Sequence, residues 1–383
     1  MANNLHSSVS FSKPDVAPNQ HKYLEEVSSS GRPWGGNSFY DLAVSQLASF
    51  TSAKEVLLTQ SCTSALELAA IGLDIRPGDE IICPSYTFVT TASAFSMRGA
   101  KPVFVEIEQA TMNINPVDVQ RAITKRTKAI VAMHYGGAAC DLNSLREISN
   151  DAGVLLVEDA AQGIDAYHSG SHLGTIGNLG CISFHGTKNL SSGEGGALLI
   201  TETTPTEVLN RIKIAHEKGT DRSEFLRGHV DKYTWKGPGS SFIPSEFTAA
   251  VLLSQLENYR QIRERRLGYW QTYLTGLEGT EYETLVLPND PKSGNAHMFS
   301  VLLPERIDRT AVIELMTKLD VFPTSHYEPL HISPFVKKEW PSQPSLPVTE
   351  KLAARILRLP MWSAKGLDVE RVLDAFFDAV RGK

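Results

Sequence analysis

A carboxylate and an amine draw attention because each closely follows a short apolar run. In VLLVEDAAQGIDA (154–166) the run ends at Asp159, and in CISFHGTKNLSSGEGGAL (181–198) Lys188 follows a second run, 29 residues after Asp159. Open parallel sheets carry their functional groups just past the carboxyl ends of strands. A buried carboxylate near a buried lysine suits one chemistry in particular. The carboxylate keeps a pyridine nitrogen protonated and the amine condenses with an aldehyde, which are the two needs of pyridoxal phosphate as an electron sink. Burial also lowers a lysine's pKa and makes it a competent nucleophile and base. Singly, neither residue says much, since a strand-end aspartate is more often a helix cap and a lysine in a Gly/Ser loop is usually solvated. Their order and setting carry the reading.

A third stretch, TQSCTSALELAA (59–70), leads from an apolar run through small residues into a helical pattern. Backbone amides at such a helix start, with the hydroxyls of Ser61, Thr63 and Ser64, cradle a phosphate dianion. Taken alone, the same residues read as an ordinary N-cap. In PSYTFVTTA (84–92), Phe88 can lie against the face of an aromatic cofactor, although an aromatic at helical spacing is more often core.

The elements that must position these residues follow from periodicity. Seven apolar runs between residues 54 and 201 (KEVLLTQ, EIICP, PVFVEI, KAIVAMH, GVLLVED, CISFHG and GGALLIT) read as buried strands. Between them SALELAAIGLDI, TTASAFSMRGA and LNSLREISNDA have helical spacing, so the pattern predicts an α/β domain with a mostly parallel sheet covered on both faces. Residues 243–275 read as helix, and Pro288, Pro291 and Gly294 mark a linker. A smaller α+β domain is expected beyond it, with a strand at HMFSVLL, helices at DRTAVIELMTKL and TEKLAARILRL, and a last helix at DVERVLDAFFDAV. The division drawn is 1–275, including the N-terminal arm, and 276–383.

Composition narrows the function. A net charge of -6 offers no field to gather a nucleic acid, so any phosphate must be held locally. Cys62, Cys83, Cys140 and Cys181 lack the CxxC pairing of metal or redox sites, and no metal is expected. The start MANNLHSSVSFSKPD is polar and no apolar run reaches the ~18–20 residues that span a bilayer. A soluble, untargeted, cytoplasmic protein is the expectation.

Together these stretches resemble the DegT/DnrJ/EryC1/StrS family of sugar-nucleotide aminotransferases, which have the aspartate-aminotransferase type I fold. The likeness runs from about residue 10 onward and is most specific in EDAAQ (158–162), SFHGTKN (183–189), GEGGA (193–197) and PSYTFVTTA (84–92). Through SCTSALE, LDIRPGDEI, HEKGTDR, DKYTW and NAHMF the chain is most similar to the enterobacterial dTDP-4-amino-4,6-dideoxygalactose transaminases. The resemblance implies that Lys188 is the Schiff-base lysine and proton shuttle and that Asp159 partners the pyridine nitrogen. It places Gln162 near the ring's phenolic oxygen, Ser183, Thr63 and the Cys62 amide on the phosphate, and Phe88 on the ring. In much of the family an asparagine reaches the phosphate from the neighbouring subunit. Here GSSFIPSEF puts Ser241 at that place, which implies a homodimer with shared sites. SHYEPLH (325–331) makes His326, Tyr327 and His331 candidates for substrate contact, with structural packing the alternative for each.

The activity so implied is a ping-pong transamination in which L-glutamate converts the cofactor to pyridoxamine phosphate, whose amine then attacks a 4-keto sugar nucleotide. A dehydratase of the same fold is the second reading, and its relatives carry histidine in place of the lysine. A non-catalytic sugar-binding or regulatory relative is the third. C3 versus C4 amination, the configuration of the amine and the dTDP, UDP or GDP carrier stay open, because polar loop residues carry no readable code for them.

Overall fold

The computed structural model describes residues 8–285 and 294–381. All seven apolar runs form strands: β1 (Glu55–Thr59), β2 (Glu80–Pro84), β3 (Lys101–Val105), β4 (Thr127–Met133), β5 (Leu155–Asp159), β8 (Leu179–Ser183) and β9 (Gly196–Ile200), with a small hairpin of β6 (Tyr167–His168) and β7 (Ser171–His172) between the fifth and sixth. The seven join in one sheet of order β1-β9-β8-β5-β4-β2-β3. Only β9 runs against its neighbours, so the expected mostly parallel sheet is what forms.

Continuous apolar runs fit here because both faces are covered. In β2, Ile81 and Cys83 pack on one face with the helix Cys62–Gly72, while Ile82 packs on the other among residues of Ser38–Thr51 and Glu246–Glu257. Such strands bury side chains on alternate sides and show no polar alternation.

A second sheet of β10 (Glu283–Leu285), β11 (Phe299–Leu302) and β12 (Ile356–Leu359) is antiparallel throughout. The helices Arg309–Lys318 and Val369–Arg381 supply Val312, Met316, Val372 and Phe376 to its own hydrophobic cluster. Tyr273 and Leu277, from the helix Tyr259–Leu277, and Val9 of the N-terminal arm join that cluster too. Both chain segments therefore tie the two sheets together.

Two expectations change. Residues 243–275 form two helices, Glu246–Glu257 and Tyr259–Leu277, because Asn258 (φ −103°, ψ 7°) closes the first with its amide on the Gln255 carbonyl. TEKLAARILRL is helical only to Arg355, since ILRL alternates like a strand and pairs with β11. Pro288 and Pro291 lie outside the described residues, while Gly294 is buried. Among the described residues no helix is long and apolar enough to cross a membrane.

Candidate active site

Asp159 and Ser183 end β5 and β8, neighbours in the sheet, and both open on a cavity of about 600 Å³. Asp159 is buried. Its Oδ2 accepts from Thr91 Oγ1 at 2.6 Å and its Oδ1 from the Ala161 amide at 3.2 Å. Burial nonetheless pushes its pKa above the usual carboxylate range, against those bonds and the charge of Lys188. The group is thus short of a cationic partner. Glu158, one residue earlier, points away from the cavity and is fully buried. Burial opposes its charge, but His134 and the amides of Gly177 and Gly174 outweigh that and lower its pKa. It fixes the 174–177 turn behind β8.

Lys188 lines the same cavity from the loop after β8. Its pKa is pushed down to about 8 by burial and by Arg358, against the opposing influence of Cys62 and Asp159. The loop is held by its next residue: Asn189 donates to the Asn295 carbonyl at 2.8 Å, shares a 2.8 Å bond with His297 Nδ1, and its own carbonyl accepts from Ser363 Oγ at 2.8 Å. Asn295 in turn donates to the carbonyls of Gln162 and Ile164 at 2.8 and 2.7 Å. One network therefore fixes both the loop after β5 and the loop that carries Lys188, and such rigid support is what a reacting amine requires.

The helix Cys62–Gly72 also begins at the cavity, its Cys62 Sγ 4.0 Å from Asp159 Oδ1, and is capped by Ser61 Oγ, which accepts from the Ser64 amide at 3.1 Å. Ser61, Cys62 and Thr63 line the cavity. Gly196, the first residue of β9, must be glycine: a Cβ there would meet the Ser61 carbonyl carbon at 2.4 Å and the Cys62 nitrogen at 2.5 Å. The GEGGA sequence thus presses a bare backbone against the helix start.

An aromatic wall closes the site. Tyr327 stacks on His326 (centroids 4.1 Å apart, 14° between planes) and approaches Phe88 at 6.2 Å. Gln162 is fixed from two sides, its Oε1 accepting from the Gly136 amide at 2.6 Å and its Nε2 donating to the Tyr327 hydroxyl at 3.0 Å. The cavity lining thus gathers Cys62, Thr63, Phe88, Asp159, Gln162, Ser183, Lys188, His326 and Tyr327. His331 and Ser241 stand apart from it. His331 is buried between Ser85 Oγ (2.7 Å from Nδ1) and Glu350 Oε1 (3.1 Å from Nε2), so both ring nitrogens are occupied. Ser241 is exposed, its carbonyl held by Gln60 Nε2 at 2.8 Å. Phe11, Thr91, His297 and Arg358 also belong to the site, and nothing in the sequence pattern marks them for it.

The model of the DegT/DnrJ/EryC1/StrS aminotransferase family matches residues 14–377, nearly the whole chain. The chain belongs to that family. Among solved structures it is similar to DesV of S. venezuelae in complex with a ketimine intermediate, at 29% identity and a TM-score of 0.86, covering 98% of this chain and 99% of that one. DesI in the presence of its TDP-sugar product is 28% identical with a TM-score of 0.86, covering 98% of this chain and 94% of that one. The pyridoxal-phosphate form of the sugar aminotransferase Spr1654 of Streptococcus pneumoniae is 21% identical with a TM-score of 0.89, covering 98% and 99%, and supports the fold.

This family member is a pyridoxal-phosphate-dependent aminotransferase with the type I fold. The geometry fits that cofactor. A buried carboxylate without a cation waits at the strand ends, an amine of depressed pKa lines the same cavity, and a capped helix start against bare glycine backbone supplies amide donors for a phosphate.

Proposed function

We propose that the enzyme transfers an amino group from L-glutamate to C4 of a nucleotide-linked 4-keto-6-deoxy sugar, dTDP-4-keto-6-deoxyglucose, working in the cytoplasm to supply an amino sugar for surface polysaccharide. The observation that carries the reading is the convergence of Lys188 and Asp159 on one cavity that a helix start also lines. Bound there, pyridoxal phosphate supplies the electron sink for amino transfer. Asp159 holds the proton on the ring nitrogen, and Ser183, Thr63 and the Cys62 amide hold the phosphate. Lys188 Nζ takes the proton from the donor's α-carbon and delivers one at the sugar's C4, and a pKa near 8 suits both directions near neutral pH. Gln162 would meet the ring's phenolic oxygen, Phe88 would cover the ring, and His326 and Tyr327 would meet the substrates. The sugar assignment draws on the sequence likeness to dTDP-sugar transaminases and on DesI, whose structure was solved with a TDP-sugar product. Purified enzyme given L-glutamate and a panel of dTDP- and UDP-linked 3-keto and 4-keto sugars is expected to aminate the dTDP 4-keto sugar, with the amine placed on C4 by NMR. Turnover confined to 3-keto sugars rejects the reading.

The same proposal includes a homodimer in which Ser241 completes the partner's phosphate site. Ser241 is exposed and outside its own cavity lining, and Trp34, Met97 and Trp235 are large apolar side chains left 61%, 76% and 84% exposed. A subunit interface would cover such side chains if they form one patch. Mixing inactive Lys188→Ala protein with an inactive variant crippled at 239–241 is therefore expected to restore activity, at one of the two sites of each mixed dimer. Demonstrated subunit exchange without recovered activity rejects shared sites.

A further inference from the structure

Arg358 is buried, lines the cavity and enters none of the ion pairs among the described residues. Its Nε has no hydrogen-bond partner there, and burial holds its pKa below the usual value. A buried guanidinium without counter-charge costs several kcal/mol unless something compensates it. The fold places it deliberately. Strand alternation in β12 sends Leu357 and Leu359 into the core of the small sheet and Arg358 to the opposite face. Backbone bonds between Arg358 and Thr324, of 2.8 and 3.0 Å, fix the 324–327 segment beside it. Phe11 lies under the guanidinium at 4.8 Å, and Nη1 donates to the His326 ring. Burial and then Arg358 push the His326 pKa strongly down, so the imidazole stays neutral. It orients the cation and cancels none of its charge.

A charge count over the lining shows what is missing. With the cofactor in place as proposed, Asp159 answers the ring nitrogen, Lys188 is committed to the cofactor, the phosphate rests on the helix start, and Glu194, the other carboxylate of the lining, is largely exposed and lies 3.6 Å from His185. Arg358 then stands without an anion.

We propose that Arg358 receives the α-carboxylate of the amino donor, and so selects an α-amino acid as the donor of this enzyme. The inference rests on the transaminase reading above. A planar guanidinium matches a carboxylate through two parallel N–H donors, and burial strengthens the match. His326 and Phe11 pre-set the fork, so little ordering is lost when the ligand arrives.

The test measures binding as well as turnover. α-Methylglutamate lacks the Cα hydrogen and cannot complete transfer, so titrating it into the cofactor-loaded enzyme and following the cofactor spectrum gives a dissociation constant. Arg358→Gln is expected to raise that constant at least about 30-fold, the scale of a lost charge-assisted bidentate contact. Binding of dTDP should change less than about threefold. Arg358→Lys keeps the charge but not the fork and should fall between. On the native enzyme, L-isoglutamine, whose α-carboxylate is an amide, should bind at least about 30-fold more weakly than glutamate. That comparison stands even if the Gln variant fails to fold. An unchanged constant for α-methylglutamate, an isoglutamine affinity equal to glutamate's, or a loss confined to dTDP binding each overturns the proposal. If glutamate fails as a donor while L-alanine reacts, the donor named above is wrong, and the alanine and alaninamide pair then tests Arg358 in the same way.

Discussion

Lys188→Ala is expected to abolish transamination, by at least about 10³-fold, while the protein still folds and binds the cofactor's phosphate. The loss has two sources, removal of the amine that holds the cofactor and removal of the group that moves the proton, and a positioned acid-base group alone is worth roughly 10²–10⁴-fold. The fold should tolerate the change. No ion pair among the described residues depends on the amine, and its pKa near 8 shows that the site disfavours its charge. The lysine binds its proton less well folded than unfolded, so its charged form opposes folding below about pH 8, and that opposition fades as pH rises through the unfolded value of roughly 10.4. Alanine removes it, and the cofactor-free variant should be at least as stable as the wild type at neutral pH. The same depressed pKa fixes the pH dependence of cofactor capture. Capture by the cofactor-free wild type should rise up to about pH 8 and level off above it, whereas a solvated lysine would keep rising toward about 10. Borohydride reduction followed by peptide mapping should place the cofactor on the peptide containing Lys188. A label on Lys213 or Lys218, both on or beside the helix Thr206–His216, would reassign the role.

The parts of this site that were legible in the sequence lie on continuous apolar strands and their immediate exits. Asp159 and Ser183 sit where such runs stop, so their placement needed only the rule that parallel sheets work at their carboxyl ends. The seven strands were equally readable, because a buried parallel strand leaves an unbroken apolar run. What could not be read depends on contacts far apart in the chain. Arg358 was concealed because ARILRL can continue a helix, and only pairing with β11 makes it a strand that turns the arginine toward the cavity. Phe11 comes from an arm more than three hundred residues away from the arginine it underlies. Asn295 and His297 carry no chemistry of their own in the sequence, yet they join the loop of Asp159 to the loop of Lys188. His331 shows the reverse. A histidine two residues after a proline near the site looks like a ligand group until Ser85 and Glu350 are found on its two nitrogens.

Asp159→Asn should keep the fold and lose transamination by about 10²–10³-fold, the scale seen when one preorganised electrostatic contact to a developing charge is removed. The amide oxygen can still accept from the Ala161 nitrogen, and its NH2 can donate to Thr91 Oγ1 once that hydroxyl turns its own hydrogen toward Thr87 Oγ1, so both contacts survive with one of them reversed. What disappears is the charge. Burial already raises the Asp159 pKa, which means that the cofactor-free protein carries this carboxylate at a cost and that a neutral isostere relieves it. The sign of the stability change therefore depends on the cofactor. A carboxylate whose folded pKa lies above its unfolded one opposes folding once pH exceeds the unfolded value, so at neutral pH the cofactor-free Asn variant should melt at the same temperature as the wild type or higher. Adding pyridoxal phosphate reverses the order, because only the carboxylate can pair with a protonated ring nitrogen. The rise in melting temperature on loading should be smaller for Asn than for Asp. A purely structural Asp159 would behave differently, with the cofactor-free variant destabilised and the gain on loading unchanged. That pattern, or near-normal turnover at saturating cofactor, would remove Asp159 from the chemistry.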